Sequence, residues 1–425
     1  MSPEPAPSRN PKPPRPVREF PIYLGTVGLY FFAFGLQFVL FPSLVTFVLE
    51  ASPAEVGLAQ MTLTGPMVVF LLWGGVLAER VRAGPALGAL QALFAVPALA
   101  LAGIAAIGGL NLGWAIAYAF AMGTLAAFML PIRDAALNGV IERDRARGHG
   151  MALPKAAAAT TAVQIGAQIL GILVAQLAGA APGPFFAVLA LAMAVSALFA
   201  LRLQAPPPPG AGRSVASAFG DVKAGLAYAF KNQVMGPMLW SAAFVGVFVI
   251  GTFQVLFPLI VRETYGGGPG EQSQRLSALF ACFWGASFVS AVALSRLPPL
   301  ERPGRALLVS HMIGAGALAT FAVDKPFWVF CVIVGGWGLA CGVAMSMSRT
   351  ITQTASEPAY LGRVLATYSL GFMGGAPIGS AISGFAAGEL GARPAALIPA
   401  VGLLVATVLL AVLSPIWRLD GRGKT

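Results

Sequence analysis

The chain has 425 residues, of which 57% are hydrophobic and only 10% are Asp, Glu, Lys or Arg, against about 25% charged residues in a soluble domain. That little polar surface excludes a water-soluble enzyme of this size, whereas repeated apolar runs of about 20 residues each match a bilayer core of ~30 Å and, being long and unbroken, read as helices and not as a barrel. The formal net charge of +11 is spread between the apolar runs with no basic stripe, so no nucleic-acid partner is expected.

Residues 1–20 hold seven prolines and four basic residues and are expected to form a disordered tail. A first span follows at 21–47, without a cleavage site of the signal-peptide kind. Further spans are expected at 55–78, 85–109, 113–139, 152–178 and 183–203, completing an N-terminal six-helix bundle over 21–203. The Pro/Gly-rich stretch 205–214 cannot continue a helix. Beyond it, 215–231 has helical periodicity with Asp221, Lys223 and Lys231 on its polar side, so 204–234 is expected to be a linker with a helix along the membrane face. Six more spans fit at 235–261, 274–295, 304–323, 327–348, 360–388 and 394–417, a C-terminal bundle over 235–417 with a tail at 418–425.

With the N-terminus placed in the cytoplasm, 21 of the 27 Lys and Arg residues fall on the cytoplasmic side and four (Arg262, Arg275, Lys325, Arg393) on the other. The positive-inside rule therefore puts both termini inside. A repeat supports the two-bundle plan. Shifting by 216 residues puts Phe32, Gly35, Leu40, Phe41, Pro42 and Val45 on Phe248, Gly251, Leu256, Phe257, Pro258 and Val261, and also Arg80 on Arg296 and Arg133 on Arg349. A shift of 213 sets the run from Ile165 to Gly171 on that from Ile378 to Gly384.

Gly75, Leu77, Ala78, Glu79 and Arg80, after the second span, resemble the glycine-x-leucine-alanine-acid-arginine signature of the major facilitator superfamily. Pro131-Ile132-Arg133, and Gln353, Pro358 and Gly362-Arg363-Val364, resemble its macrolide-efflux-like branch, which includes siderophore exporters. The resemblance implies an all-α polytopic membrane protein of twelve transmembrane helices in two pseudo-symmetric six-helix bundles. It also implies a transporter, not an enzyme, exporting amphipathic compounds by alternating access in exchange for protons. The branch often has Gly-Pro in the fifth span; this chain has Ala376-Pro377 in the eleventh instead. A dedicated carrier for one metabolite, such as a siderophore or lysolipid, is the alternative. A membrane-embedded enzyme or sensor is a further one, although no span carries a catalytic cluster and no loop is long enough for an output domain.

The signature residues admit a physical reading. Glu79 set against the N-terminus of the eleventh helix would favour that helix dipole and tie the halves together in one state, with Arg80, Arg133 and Arg363 near the same face; as plain positive-inside anchors they would do less. Gly166, Gly171, Gly379 and Gly384 allow close helix approach. Of the 16 acids, none falls in mid-span. Asp134 beside Arg133, and His311 in the ninth span, are the candidates for proton coupling, though an isolated His in an apolar helix more commonly serves structure. In the superfamily the first, fourth, seventh and tenth spans line the pathway, which nominates Tyr30, Gln37, Phe120, Trp240, Gln254 and Trp337 for the cavity. Rings with a few amides suit an amphipathic ligand, while core packing is the plainer role for each ring. Three dispersed cysteines and two histidines fit neither metal nor disulfide framework, and no cofactor is expected. The expected setting is a bacterial inner membrane, the expected working unit a monomer.

Overall fold

The computed structural model describes residues 18–148, 151–204, 215–298, 300–357 and 361–420. The expected tail, the Pro/Gly-rich stretch 205–214 and Pro358 lie outside the described residues, and of Arg363 only the backbone is described. Thirteen helices make up the described fold: α1 Glu19–Val48, α2 Pro53–Arg80, α3 Ala83–Ala106, α4 Leu112–Ala146, α5 Leu153–Ala175, α6 Gly183–Ala200, α7 Val215–Lys231, α8 Met235–Tyr265, α9 Pro269–Arg296, α10 Pro303–Thr320, α11 Phe327–Ala355, α12 Leu361–Leu390 and α13 Ala392–Leu413. Eleven are long and apolar enough to cross a membrane. The other two are the linker helix α7 and α10, whose 18 residues include Arg305 and His311. Helix α10 packs between α11 and α13 and takes the place expected for the ninth span.

Helices α1 to α6 pack among themselves, as do α8 to α13, giving the two six-helix bundles. Close approach at small residues sets the repeated crossings. A Cβ on Gly35 would stand 2.1 Å from the Gln168 carbonyl oxygen, fixing α1 on α5, and one on its repeat counterpart Gly251 would stand 2.4 Å from that of Ala376, fixing α8 on α12. Helix α1 starts inside the segment expected to be disordered: Glu19 and Phe20 are buried. The Asp144 carboxylate explains the early start, because it accepts from the backbone N–H groups of both residues (3.1 and 3.0 Å). These are two of the donors that a helix N-terminus leaves unpaired.

The bundles meet along α2 and α12, α5 and α9, and α1 and α9. By contrast α4 packs on α1, α2, α3 and α5, and α11 mainly on α9 and α10, each within its own bundle.

Candidate functional site

At the arginine-poor end the halves close on each other. Helix α1 finishes in a π-turn, Leu44–Val48, whose last carbonyls lack intrahelical donors. Arg262, near the end of α8, supplies one from the other half: its Nη1 donates to the carbonyl oxygens of Thr46 (3.1 Å) and Ala51 (2.7 Å). Between those acceptors Glu50 sits at φ 49°, the single positive-φ residue other than glycine among the described residues. Ser43 and Ser273 hydroxyls meet across the halves at 3.2 Å. Deeper in, Phe38 of α1 packs on Phe280 at 4.9 Å, Trp284 at 6.0 Å and Phe253 at 6.1 Å, so an aromatic cluster seals the interface. Outside that seal lies a cavity of about 380 Å³ lined from both halves by Phe47, Glu50, Ala51, Ser52, Arg262, Gly267, Pro269 and Gln272.

Several buried polar side-chain atoms in the spans lack a hydrogen-bond partner among the described residues, and two of them, Gln254 Oε1 and Trp284 Nε1, belong to residues in or beside this aromatic cluster. A buried unpaired polar group is costly, and both atoms are chemically suited to a polar group on a bound ligand.

Of the other three basic residues of this end, Arg275 and Lys325 reach carbonyls at helix C-termini, where a cation is favoured. Arg275 donates to the carbonyls of Tyr265 (2.7 Å) and Gly266 (2.8 Å). Lys325 caps α10 through the carbonyls of Thr320 and Val323. Arg393 holds Thr264 Oγ1 at 2.7 Å and pairs with Asp324. That hydrogen bond holds the exposed Asp324 carboxyl below the usual carboxylate range. Of the four, Arg262 alone reaches the other half.

At the arginine-rich end, Glu79 and Ala78 are half-buried, Leu77 and Arg80 exposed, and a Cβ on Gly75 would meet nothing within 4 Å. Arg133 is not a free surface anchor. Its guanidinium pairs with Asp134 (Nε 3.0 Å, Nη2 2.8 Å) and lies over the Phe31 ring at 5.3 Å. The Arg133 side chain is 11% exposed, that of Asp134 64%. Arg143 and Arg147, counted from sequence as cytoplasmic charges, instead hold the buried Glu19 carboxylate, each at 2.8 Å. Arg147 also donates to Gln204 Oε1 at 2.5 Å, which joins the ends of α1 and α4 to the segment after α6.

The nominated cavity residues do not assemble into one wall. Gln37 is buried in α1, one residue before Phe38, and Gln254 in α8 follows Phe253, so these two flank the aromatic seal. Tyr30 points into the N-terminal bundle, edge-on to Phe94 of α3 at 5.8 Å. Trp337 is 3% exposed and packs among Phe253, Phe283 and Phe321. Trp240 stacks on Phe244 and meets Phe230 of α7. Tyr30 and Trp337 therefore serve bundle packing, a correction that follows from counting spans without knowing helix rotation, while Trp240 is half-exposed on α8. Phe120 is half-exposed on α4. His311 is 8% exposed inside the C-terminal bundle. Among the glycines, a Cβ on Gly171 would stand 2.1 Å from the Phe32 oxygen, one on Gly379 2.0 Å from the Val247 oxygen and one on Gly384 2.6 Å from Gly57 Cα across the halves, while at Gly166 it would meet nothing within 4 Å.

Sequence reading missed Arg262, Ser43, Ser273, Phe280 and Trp284. One signal was available: Arg262 broke the positive-inside pattern, and the 216-residue shift placed it on Thr46.

A family model described as transmembrane secretion effector matches residues 36–420. Among curated proteins, the chain is 26% identical over 218 residues to the enterobactin exporter of Citrobacter koseri, covering 50% of this chain and 49% of that protein. It is 24% identical over 214 residues to the enterobactin exporter of Salmonella typhi, covering 49% and 48%. The chain thus matches about half the length of these relatives. Among solved structures, the nucleoside transporter NupG superposes with a TM-score of 0.74 at 15% identity, covering 93% of this chain and 99% of that one. A D-xylose-proton symporter superposes with 0.71 at 14% identity, covering 96% and 99%. These two likenesses concern the fold.

Proposed function

The chain belongs to the transmembrane secretion effector family, with the major facilitator fold, and we propose that it exports an amphipathic small molecule from the cytoplasm by alternating access. The arginine-rich end is the cytoplasmic one by the positive-inside rule, and with it both termini; the expected setting is the inner membrane of a bacterium, with a monomer as the working unit. The observation that carries the proposal is the asymmetry of the two ends. Arg262, Ser43, Ser273 and Phe38 join the halves at the outer end, while α4 and α11 keep to their own bundles. That is the arrangement of a carrier able to receive cargo made inside the cell. Rings of Phe38, Phe253 and Trp284 would take the apolar part of the cargo, and the orphaned Gln254 and Trp284 atoms its polar groups.

The curated relatives are named for the export of a siderophore, which favours a dedicated metabolite carrier as the narrower form of this proposal. Protons are the proposed coupling ion, with Asp134 first and His311 second as the titrating group, and Glu79 as the cytoplasmic counterpart of the outer closure.

Cells expressing the protein should accumulate less of at least one amphipathic dye, antibiotic or iron-chelating catechol than cells without it, and a protonophore should abolish the difference. One compound affected supports a dedicated carrier; several support a broad exporter. No change for any compound contradicts export of this class.

A further inference from the structure

We infer that Arg262 is the residue that sets the balance between the outer-closed and outer-open states, by acting as a helix cap that exists in only one of them. This rests on the proposed alternating-access reading, but its test reads conformation and not transport. The carbonyl of Thr46 belongs to the last turn of α1, where four carbonyls have no partner within the helix. Neighbouring carbonyls are satisfied locally, Leu44 by the N–H of Leu49 and Val45 by that of Ala51. Thr46 is satisfied by Arg262 of the opposite half. The same guanidinium nitrogen holds Ala51, on the far side of the left-handed Glu50, so one side chain pins both ends of a strained turn. A non-glycine residue in that conformation persists only where its surroundings over-determine it.

Separating the halves at this end removes the guanidinium from both carbonyls at once. The closed state alone therefore keeps this cap, and a group with differential contacts in two states shifts their populations. Arg275 provides the internal comparison. It makes the same kind of bond to the same kind of acceptor, the carbonyls of Tyr265 and Gly266, but both acceptors end its own half's helix α8, so opening leaves its bonds intact.

Ser43 is 3% exposed and faces Ser273 across the closure, so a thiol placed there is reached from outside only when the outer end opens. The experiment uses the full chain carrying Ser43→Cys in cells or vesicles. A membrane-impermeant maleimide is applied from outside, and modification at that position is followed by peptide mass, which separates it from Cys282, Cys331 and Cys341. Adding Arg262→Gln should raise the labelling rate about tenfold, the scale of losing a charge-assisted pair of hydrogen bonds. Adding Arg275→Gln should leave it unchanged. An unchanged rate with Arg262→Gln, or an equal rise with Arg275→Gln, would overturn the assignment. Should Arg262→Gln fail to accumulate, Arg262→Lys decides in its place, because it keeps the charge but puts it on a shorter, more flexible stem that does not fix one donor nitrogen between the two carbonyls. An intermediate rate then supports the assignment and a rate equal to that of Ser43→Cys alone overturns it. Loss of export with the labelling pattern intact would count against the transport reading and leave this one standing.

Discussion

Arg262 and Thr46 occupy equivalent places in the two halves, 216 positions apart, and they touch: the guanidinium of one donates to the carbonyl of the other at 3.1 Å. Two equivalent positions in contact must lie beside the axis that relates the halves. The outer closure is therefore built where the bundles pivot past each other, from residues on the first helix of each, α1 and α8. Pro42 and Pro258 are likewise equivalent and each lies inside one of these helices, where the missing N–H loosens the local hydrogen-bond ladder.

The strained turn gives the first prediction. Glu50→Gly relieves a left-handed residue that costs about 1 kcal/mol or more, without removing any bond that Arg262 makes to Thr46 or Ala51. The protein should gain thermal stability in detergent, and Ser43→Cys should label from outside no faster than before. A loss of stability would mean that the Glu50 side chain contributes more than its backbone strain costs.

Glycines that share a sequence pattern should differ sharply on substitution. Gly171→Ala places a Cβ 2.1 Å from the Phe32 oxygen and should cost about 1–3 kcal/mol through overpacking of α1 on α5. At Gly166, where nothing lies within 4 Å, alanine should be neutral or stabilise by about 0.5–1 kcal/mol. Thermal unfolding of the two variants side by side checks this, and equal effects would contradict the described crossing.

Glu19 predicts a large effect at a position the sequence assigned to a tail. Glu19→Gln takes from Arg143 and Arg147, 21% and 23% exposed, the carboxylate they share at 2.8 Å, leaving Arg147 the more distant Asp144 at 4.0 Å, and losing one partner of a buried pair costs about 3–5 kcal/mol. Arg145→Gln, on the same turn but exposed, should change stability by less than about 0.5 kcal/mol. Melting temperatures in one detergent compare the two, and similar shifts would reject the ion cluster.

Proton coupling has its own variant. Asp134→Asn keeps the shape that Arg133 packs against but removes the ionisable group, so proton-driven export should be lost, as with a protonophore on the unmodified protein, while the folded protein persists. Normal, protonophore-sensitive export by this variant would move the role to His311, which His311→Gln then tests.

The spans were legible because bilayer thickness dictates run length, and the halves because a 216-residue shift aligns Gly35 with Gly251 and Pro42 with Pro258. Helix rotation was not legible in a chain this uniformly apolar, which is why Tyr30 and Trp337, nominated for a cavity, face bundle interiors. Long-range pairing was hidden as well. Arg143 and Arg147 read as membrane-side charges until the fold brings Glu19 to them from more than 120 residues away. Glu19 itself looked like the end of a proline-rich tail, since its helix owes its first turn to Asp144 on α4.

The most direct test of alternating-access export is to lock the outer end reversibly. Ser43→Cys with Ser273→Cys places two thiols where hydroxyls now stand 3.2 Å apart. Export of a compound that the unmodified protein removes from cells is then measured after oxidation and again after reduction. The account predicts that oxidation cross-links α1 to α9 and stops export, and that reduction restores it. Export continuing at full rate with the cross-link in place would contradict it.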